Sequence, residues 1–595
     1  MADTLAQVLL DTVKNYPKPD FMLYKKEGRY QPLSTEEFGR RVKHICLGLK
    51  DLGLQRGDKV IILSENRPEW VITDHANLCL GASTVPIYTS LVPEQIKYII
   101  DDSDAKAVVV SCDDLWKKVE AVKPSLTKVR HFITFLEEAP AGVLTFNDVL
   151  ERGRKLDERN PGLFESLVHA VKPEDEASLI YTSGTTGVPK GVILTHNNFL
   201  SNVKTCVSIL DFTHKDTVLS FLPLSHVLER MVTYVYVYAG VHIGYAESLE
   251  SVGANLLEIR PTIMVSVPRV FEKIYAKVMD NVLKSSALKR KIFFWAVKVG
   301  KEYGRRKLAK QNIGGWLQFR RNVAHKLVFS KVIEKTGGRV RFFVSGAAPL
   351  SKDIAEFFYG LGLVVLEGYG LTETSPVISV NILENPKFGT VGKPIPGIEV
   401  KIAADGEILT RGPHVMKGYY KKPAETGEMF EGGWLKTGDI GYLDDEGFLA
   451  ITDRKKDLIV TAGGKNVAPQ PIENILKTNA YISNAVAIGD RRRFISALVV
   501  PNFEKLEEYA KSSKISYADR ADLVKNEQVV SFLKSEIDRA TPNLASYERI
   551  KKIALLDREF EIKEGEITPT QKVKRNIIEK KYKDVIEAMY KEDNG

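Results

Sequence analysis

Residues 181–196 read YTSGTTGVPKGVILTH. Thr182, Ser183, Thr185 and Thr186 supply four hydroxyls, Gly184, Gly187 and Gly191 three unhindered backbone positions, and Lys190 one cation. Glycine exposes backbone N–H groups, hydroxyls donate to oxygen, and an ammonium offsets negative charge, so this combination suits an anion such as a polyphosphate. A Walker loop would require G-x-x-x-x-G-K-[ST] leading into a helix whose N-terminus faces the phosphate. Here Lys190 is followed by Gly191 and a β-type apolar run. The hydroxyls and the lysine must therefore stand in for the helix dipole. An ordinary hairpin turn is the plain alternative, but turning alone does not call for so many hydroxyls.

Further along, LEGYGLTETSP (366–376) joins an aromatic ring, several hydroxyls and one acid. Tyr369 can stack on a purine. Thr372 can bond a phosphate, and Glu373 can hold Mg²⁺, a hard ion that takes carboxylate, water and phosphate oxygens. VSGAAPL (344–350) follows an apolar strand, and its small residues let a flat ring approach the backbone. LKTGDIGYLDDEGF sets Asp439 between tight turns, where a fixed carboxylate can accept two hydroxyl protons. DRKKD and TAGGKNVAPQPIE come next, and TPTQKVKRN near the end offers Lys572, Lys574 and Arg575 as candidate catalytic cations.

Strands and helices must position these groups. GDKVIILSE, TVPIY and AKAVVVS read as strands, separated by the helical stretches RPEWVITDHANLCLG and PEQIKYIIDDSD. That alternation predicts a layered, largely parallel α/β domain. ASLIY and GVILTH, on either side of the hydroxyl-rich turn, also read as strands. Beyond about residue 400 the texture changes to short strands broken by Asp-Gly and Glu-Gly turns. After DRKKDLIV a compact α+β pattern follows: helix PQPIENILKT, strands SNAVAIGD and ISALVVPN, then helices. The expected division is a large N-terminal domain, residues 1–453, a hinge at 454–456, and a small domain, residues 457–595. In MVTYVYVYAG, Tyr234, Tyr236 and Tyr238 alternate with valines, which is a strand pattern.

The 595 residues exceed one ordinary core, and 44% hydrophobic content with a mean hydropathy of −0.15 fits a soluble globular protein. Cys46, Cys79, Cys112 and Cys206 form no C-x-x-C pair, so neither structural zinc nor a disulfide framework is expected. The N-terminus lacks the basic start and long apolar centre of a secretory signal, which points to the cytoplasm. The formal charge of +9 is uneven. Residues 284–341 hold 17 lysines and arginines against Glu302 and Glu334, so the rest of the chain is net negative. Phe293, Phe294, Trp295, Trp316 and Phe319 interleave with these cations, and helical patterning runs on both sides of Gly314-Gly315. Such a segment suits an anionic bilayer surface. A solvated helical hairpin packed on the body is the plain reading, and nucleic acid is disfavoured.

Together and in order, these segments resemble the signatures of adenylate-forming enzymes, the superfamily of acyl-CoA synthetases, adenylation domains and luciferases. The resemblance covers nearly the whole chain. It implies that Thr182, Ser183, Gly184, Thr185, Thr186, Gly187 and Lys190 bind ATP phosphates, with Thr185 and Glu373 at Mg²⁺. It implies an adenine and ribose site of Gly346, Ala347, Ala348, Glu367, Gly368, Tyr369, Gly370, Asp439 and Arg454. Lys456 falls at the family's interdomain hinge, Gly463 and Gly464 at the CoA pantetheine passage, and Lys572 at the catalytic lysine. LPLSHVLERM is similar to the long-chain fatty acyl-CoA synthetase branch, which places His226 near the acyl carboxylate and implies a helix after it. Arg230 stands where some long-chain relatives carry a gating Trp. The implied reaction uses ATP, a long-chain fatty acid and CoA, with an acyl-adenylate between them. Aryl- or short-chain synthetases, and ligases that load a carrier protein, remain the alternatives.

Overall fold

The computed structural model describes residues 2–182, 188–568 and 573–591. The larger unit is built on two sheets with helices against them. In one eight-stranded sheet, Lys59–Leu63, Ser83–Ile87, Ala107–Val110 and His131–Thr134 run parallel, each strand buried on both faces, which is why they read as unbroken apolar runs. Strand β1 (Glu176–Thr182) joins parallel to Ser83–Ile87 and turns back antiparallel into β2 (Lys190–Thr195). Their register sets Thr182 opposite Lys190 at the end of the hairpin where the two strands are connected. Residues 183–187, which carry five of the phosphate-loop expectations, lie outside the described residues. The short Gly418–Tyr419 strand completes that edge against β2.

Helix α1 (His196–Ile209) begins at Thr195, whose hydroxyl accepts the Asn198 N–H while the Asn198 side chain accepts from Thr195 N–H. Helix α2 (Val227–Ala239) is capped by His226 and ended by Gly240 at φ 65°, the left-handed position that glycine takes without strain. The tyrosine–valine alternation therefore does not make a strand. Nearly every residue of α2 is buried, so apolar side chains occupy both faces and period-two spacing carries no information there.

The nine-stranded sheet runs parallel through Thr217–Ser220, Ile263–Ser266, β3 (Phe342–Ser345) and β4 (Val365–Gly370), then antiparallel into Val377–Val380. A five-stranded antiparallel sheet contains β5 (Trp434–Leu443) and β6 (Leu449–Arg454), paired so that Asp439 faces Arg454. A separate hydrophobic core starts at Ile459 and extends to Met589 around the three strands Ile482–Ile488, Ile495–Pro501 and Ile550–Leu555. The architecture is thus a large layered α/β unit followed by a smaller α+β unit, as the order of elements predicts. The units meet through Lys505 on Asp280 and Lys284 on Glu508 (3.3 Å). The basic segment forms α3 (Ala287–Leu308) and α4 (Gly315–Ala324). Among the described residues, no helix is long and apolar enough to cross a membrane.

Candidate active site

One cavity of about 760 Å³ opens among β1, β2, α2, β3, β4 and β5. Its wall has two chemistries. At one end stand Thr182, Lys190, Thr372, Glu373, Lys436 and Arg454. Tyr419 ties this end together. Lys190 Nζ lies 5.2 Å from the centre of its ring, and its hydroxyl donates to Glu373 Oε1 at 2.8 Å. Burial and the adjacent Glu373 push the Tyr419 phenol well above its ordinary range, so it stays protonated and keeps donating. Sequence reasoning missed Tyr419, because only long-range pairing with β2 brings it to the site.

Gly346, Ala347, Gly368, Tyr369 and Gly370 also line the cavity. Gly346 follows β3, and a Cβ there would come within 3.0 Å of Leu228 Cδ2, so a larger residue would require that side chain to shift. Tyr369 donates to Asp439 Oδ2 at 2.7 Å, and Arg454 Nε lies 3.3 Å from Asp439 Oδ1. Asp439 is buried and stands behind Tyr369 and Arg454, not in the cavity wall. Lys456 lines the cavity, and burial followed by the neighbouring Arg454 charge lowers its pKa. Lys455, which sequence reasoning passed over, lines it too and is held by Asp405 (2.6 Å) and Glu407 (2.8 Å).

The other end is apolar. Val227, Leu228, Met231, Val232 and Val235 form a single stripe on α2, with Cys206, Leu210, Phe212, Val265, Val344 and Val377 around it. From Val227 to Val235 the stripe runs about 12 Å along the helix axis. His226 stands where the polar and apolar regions meet. Its Nδ1 accepts the Leu228 N–H at 3.1 Å, which leaves Nε2 to carry the proton of the neutral ring. The far face of α2 is fixed by a buried pair. Arg230 bonds Asp74, while the Tyr234 hydroxyl donates to Asp74 at 2.7 Å and accepts from Arg230 Nε at 2.8 Å. Arg230 therefore points away from the cavity and does not occupy a gate.

Several expected residues are not part of this cavity. Glu367 is buried behind β4, where its Oε2 accepts the Leu350 N–H at 3.2 Å and burial pushes its pKa up to about 8. Ala348 lines a second cavity, of about 560 Å³, between the two units. Gly463 and Gly464 are exposed and line neither space. Lys572 lies outside the described residues; its neighbour Val573 lines the second cavity beside Ala347 and Ala348.

No cluster of three or more His, Cys, Asp or Glu side chains that could cage a metal occurs among the described residues. A single carboxylate fixed by Tyr419 beside Thr372 nevertheless suits Mg²⁺, which is held by one or two carboxylates together with substrate phosphates and water.

The chain is similar to known proteins over nearly its whole length. The sequence model of the AMP-binding enzyme family matches residues 9–420, and that of the AMP-binding enzyme C-terminal domain matches residues 456–594. The long-chain-fatty-acid–CoA ligase FadD15 of Mycobacterium bovis is 36% identical over 97% of this chain and 95% of its own. The peroxisomal long chain acyl-CoA synthetase 6 of Arabidopsis thaliana is 34% identical over 95% of this chain and 82% of its own. Among solved structures, the adenylation domain of a Mycobacterium chelonae carboxylate reductase has a TM-score of 0.77 at 21% identity, covering 99% of this chain and 91% of its own. The anthranilate CoA ligase AuaEII in complex with anthranoyl-AMP has a TM-score of 0.73 at 19% identity, covering 99% and 98%. With one sequence model spanning most of its length and relatives above 30% identity from end to end, this chain belongs to the AMP-binding enzyme family.

Proposed function

We propose that the protein is an AMP-forming long-chain fatty acid–CoA ligase. The observation that carries this reading is the joining of a cationic, hydroxyl-bearing pocket to an apolar channel along α2 in one cavity. The relatives that match nearly the full chain are named for the same activity.

The physical problem is the approach of two anions. Two unit charges about 4 Å apart interact by about 4 kcal/mol at an effective dielectric of 20. Lys190 offsets charge on the departing phosphates, and Thr372 donates to the α-phosphate. Tyr369 stacks on the adenine while Asp439 holds Tyr369 and Arg454 in position at the ribose. Glu373, oriented by Tyr419, together with Thr185 would hold Mg²⁺, which neutralises phosphate charge when bound. Lys572 bridges the fatty carboxylate and the α-phosphate. A carboxylate oxygen attacks α-phosphorus, its bond to pyrophosphate breaks, and acyl-adenylate remains. The hydrocarbon tail lies along Val227–Val235 with His226 beside the carboxylate. The small unit then turns about Lys456, withdraws Lys572 and brings Gly463 and Gly464 to the pantetheine arm. The CoA thiol, losing its proton, attacks the acyl carbon and AMP leaves. We place the protein's supply of fatty acid at a membrane surface on the cytoplasmic side.

Purified protein with ATP, Mg²⁺, palmitate and CoA should release pyrophosphate and form palmitoyl-CoA. Faster turnover of benzoate or acetate would reject the long-chain assignment. Acyl-adenylate that passes only to a carrier protein, and not to CoA, would reject the acceptor.

A further inference from the structure

The body-facing and solvent-facing sides of α4 are both apolar. Leu317 and Ala324 of α4, and Val328 of the turn that follows it, are buried against the body. On the opposite side, Trp316 is 70% exposed, Phe319 58% and Leu327 45%, with Val323 half-buried between them. The spacing 316, 319, 323 is that of one face of α4, and Leu327 is exposed on the π-helical turn His325–Phe329 that continues it. The rings of Trp316 and Phe319 stack on each other 5.7 Å apart, so they form one continuous patch. Arg320 borders this stripe on α4, and Lys326 is exposed on the turn that follows. A solvated helix has no reason to turn tryptophan, phenylalanine and leucine outward together, and such a patch marks an interaction surface.

Charge decides the occupant. The 284–341 segment carries 17 cations and two acids. A second copy related by a two-fold axis would set this excess against itself. A nucleic acid would use the cations and leave the apolar stripe unexplained. An anionic bilayer uses both, because phosphate headgroups meet the cations while Trp, Phe and Leu enter the boundary with the acyl chains. We infer that α4 and the turn His325–Phe329 that continues it form a membrane-docking element whose Trp316, Phe319, Val323 and Leu327 side chains insert into the headgroup region of an anionic phospholipid bilayer. The inference deepens the proposed function, since a bilayer is where long-chain fatty acids partition, but it does not require that reading to hold.

The test is co-sedimentation of the full chain with vesicles of phosphatidylglycerol and phosphatidylcholine, or of phosphatidylcholine alone. Wild type should pellet with the anionic vesicles, less with neutral ones, and be released by high salt. The W316A/F319A double variant should bind about tenfold more weakly or worse, and its pyrophosphate release with a soluble medium-chain acid should be unchanged. Vesicles carrying bromine-labelled acyl chains should quench Trp fluorescence in wild type but not in W316F. Equal binding by wild type and the double variant, or no binding to anionic vesicles at low salt, would overturn the inference. So would a wild-type dimer that dissociates in the double variant without any vesicle binding. Loss of vesicle binding with ligase activity intact, and the reverse, separate this inference from the catalytic assignment.

Discussion

Phe212 offers a direct way to change which acids the cavity takes. Its ring contacts Tyr236, near the C-terminal end of α2, and Phe342, the first residue of β3. His226 is at the opposite end of α2, and the cavity-lining Gly346 follows the opposite end of β3. Phe212 therefore sits far from the polar end and closes the apolar channel. Phe212→Ala removes the ring and lengthens the space. Each extra methylene buried contributes about 0.8 kcal/mol, about fourfold in kcat/KM. Room for two more methylenes should therefore raise the ratio of kcat/KM for longer over shorter acids by about fifteenfold relative to wild type. The assay is initial-rate pyrophosphate release across saturated acids of graded length, with CoA present. Phe212→Leu should shift the profile in the same direction by less, and melting curves of both variants report any cost of the lost ring contacts. A uniform fall in kcat/KM for every acid, with the profile unmoved, would refute the placement of Phe212 at the end of the channel.

Tyr419→Phe should raise the Mg²⁺ concentration for half-maximal pyrophosphate release by about tenfold, the usual scale for removing a hydrogen bond to a metal-holding carboxylate; a Mg²⁺ titration checks it. Lys572→Ala should slow adenylate formation by roughly 10²–10³ and leave thioester formation from premade acyl-adenylate nearly unchanged, as resolved by single-turnover measurements of each step. Glu367 has its pKa raised to about 8 by burial, so the stability of its neutral form is fully present below its unfolded pKa near 4.5 and is lost as pH rises through about 8. Melting temperature should therefore fall with pH over that window, and Glu367→Gln should flatten the slope.

The large features were legible because local pattern and tertiary role coincide in them. The strands Lys59–Leu63, Ser83–Ile87 and Ala107–Val110 are buried on both faces, so their apolar runs announce both strand and core. Lys190 and Glu373 stand out because hydroxyl- and glycine-rich turns around a charge are rare without a ligand. The helix Val227–Ala239 was not legible from its residues, since burial on all sides erases the amphipathic period. The resemblance carried by SHVLER gave the helix where the alternation gave a strand. Tyr419 was hidden because its role comes from pairing with a strand more than two hundred residues earlier. Arg230 and Asp74 were hidden for a similar reason: a charged residue on a helix reads as surface until its partner, here on the helix Pro68–Leu80, is known. Glu367 sits among cavity-lining residues in sequence, yet its carboxylate is buried on the Leu350 N–H and does not reach the cavity that Gly368, Tyr369 and Gly370 line.

The most direct measurement is a crystal structure of the protein with a non-hydrolysable palmitoyl-adenylate mimic. The adenine should lie against Tyr369, the phosphate mimic beside Thr372 and Lys190, and the hydrocarbon along Val227, Met231 and Val235 toward Phe212. An acyl chain lodged outside that channel, or a nucleotide bound away from Tyr369 and Thr372, would contradict it.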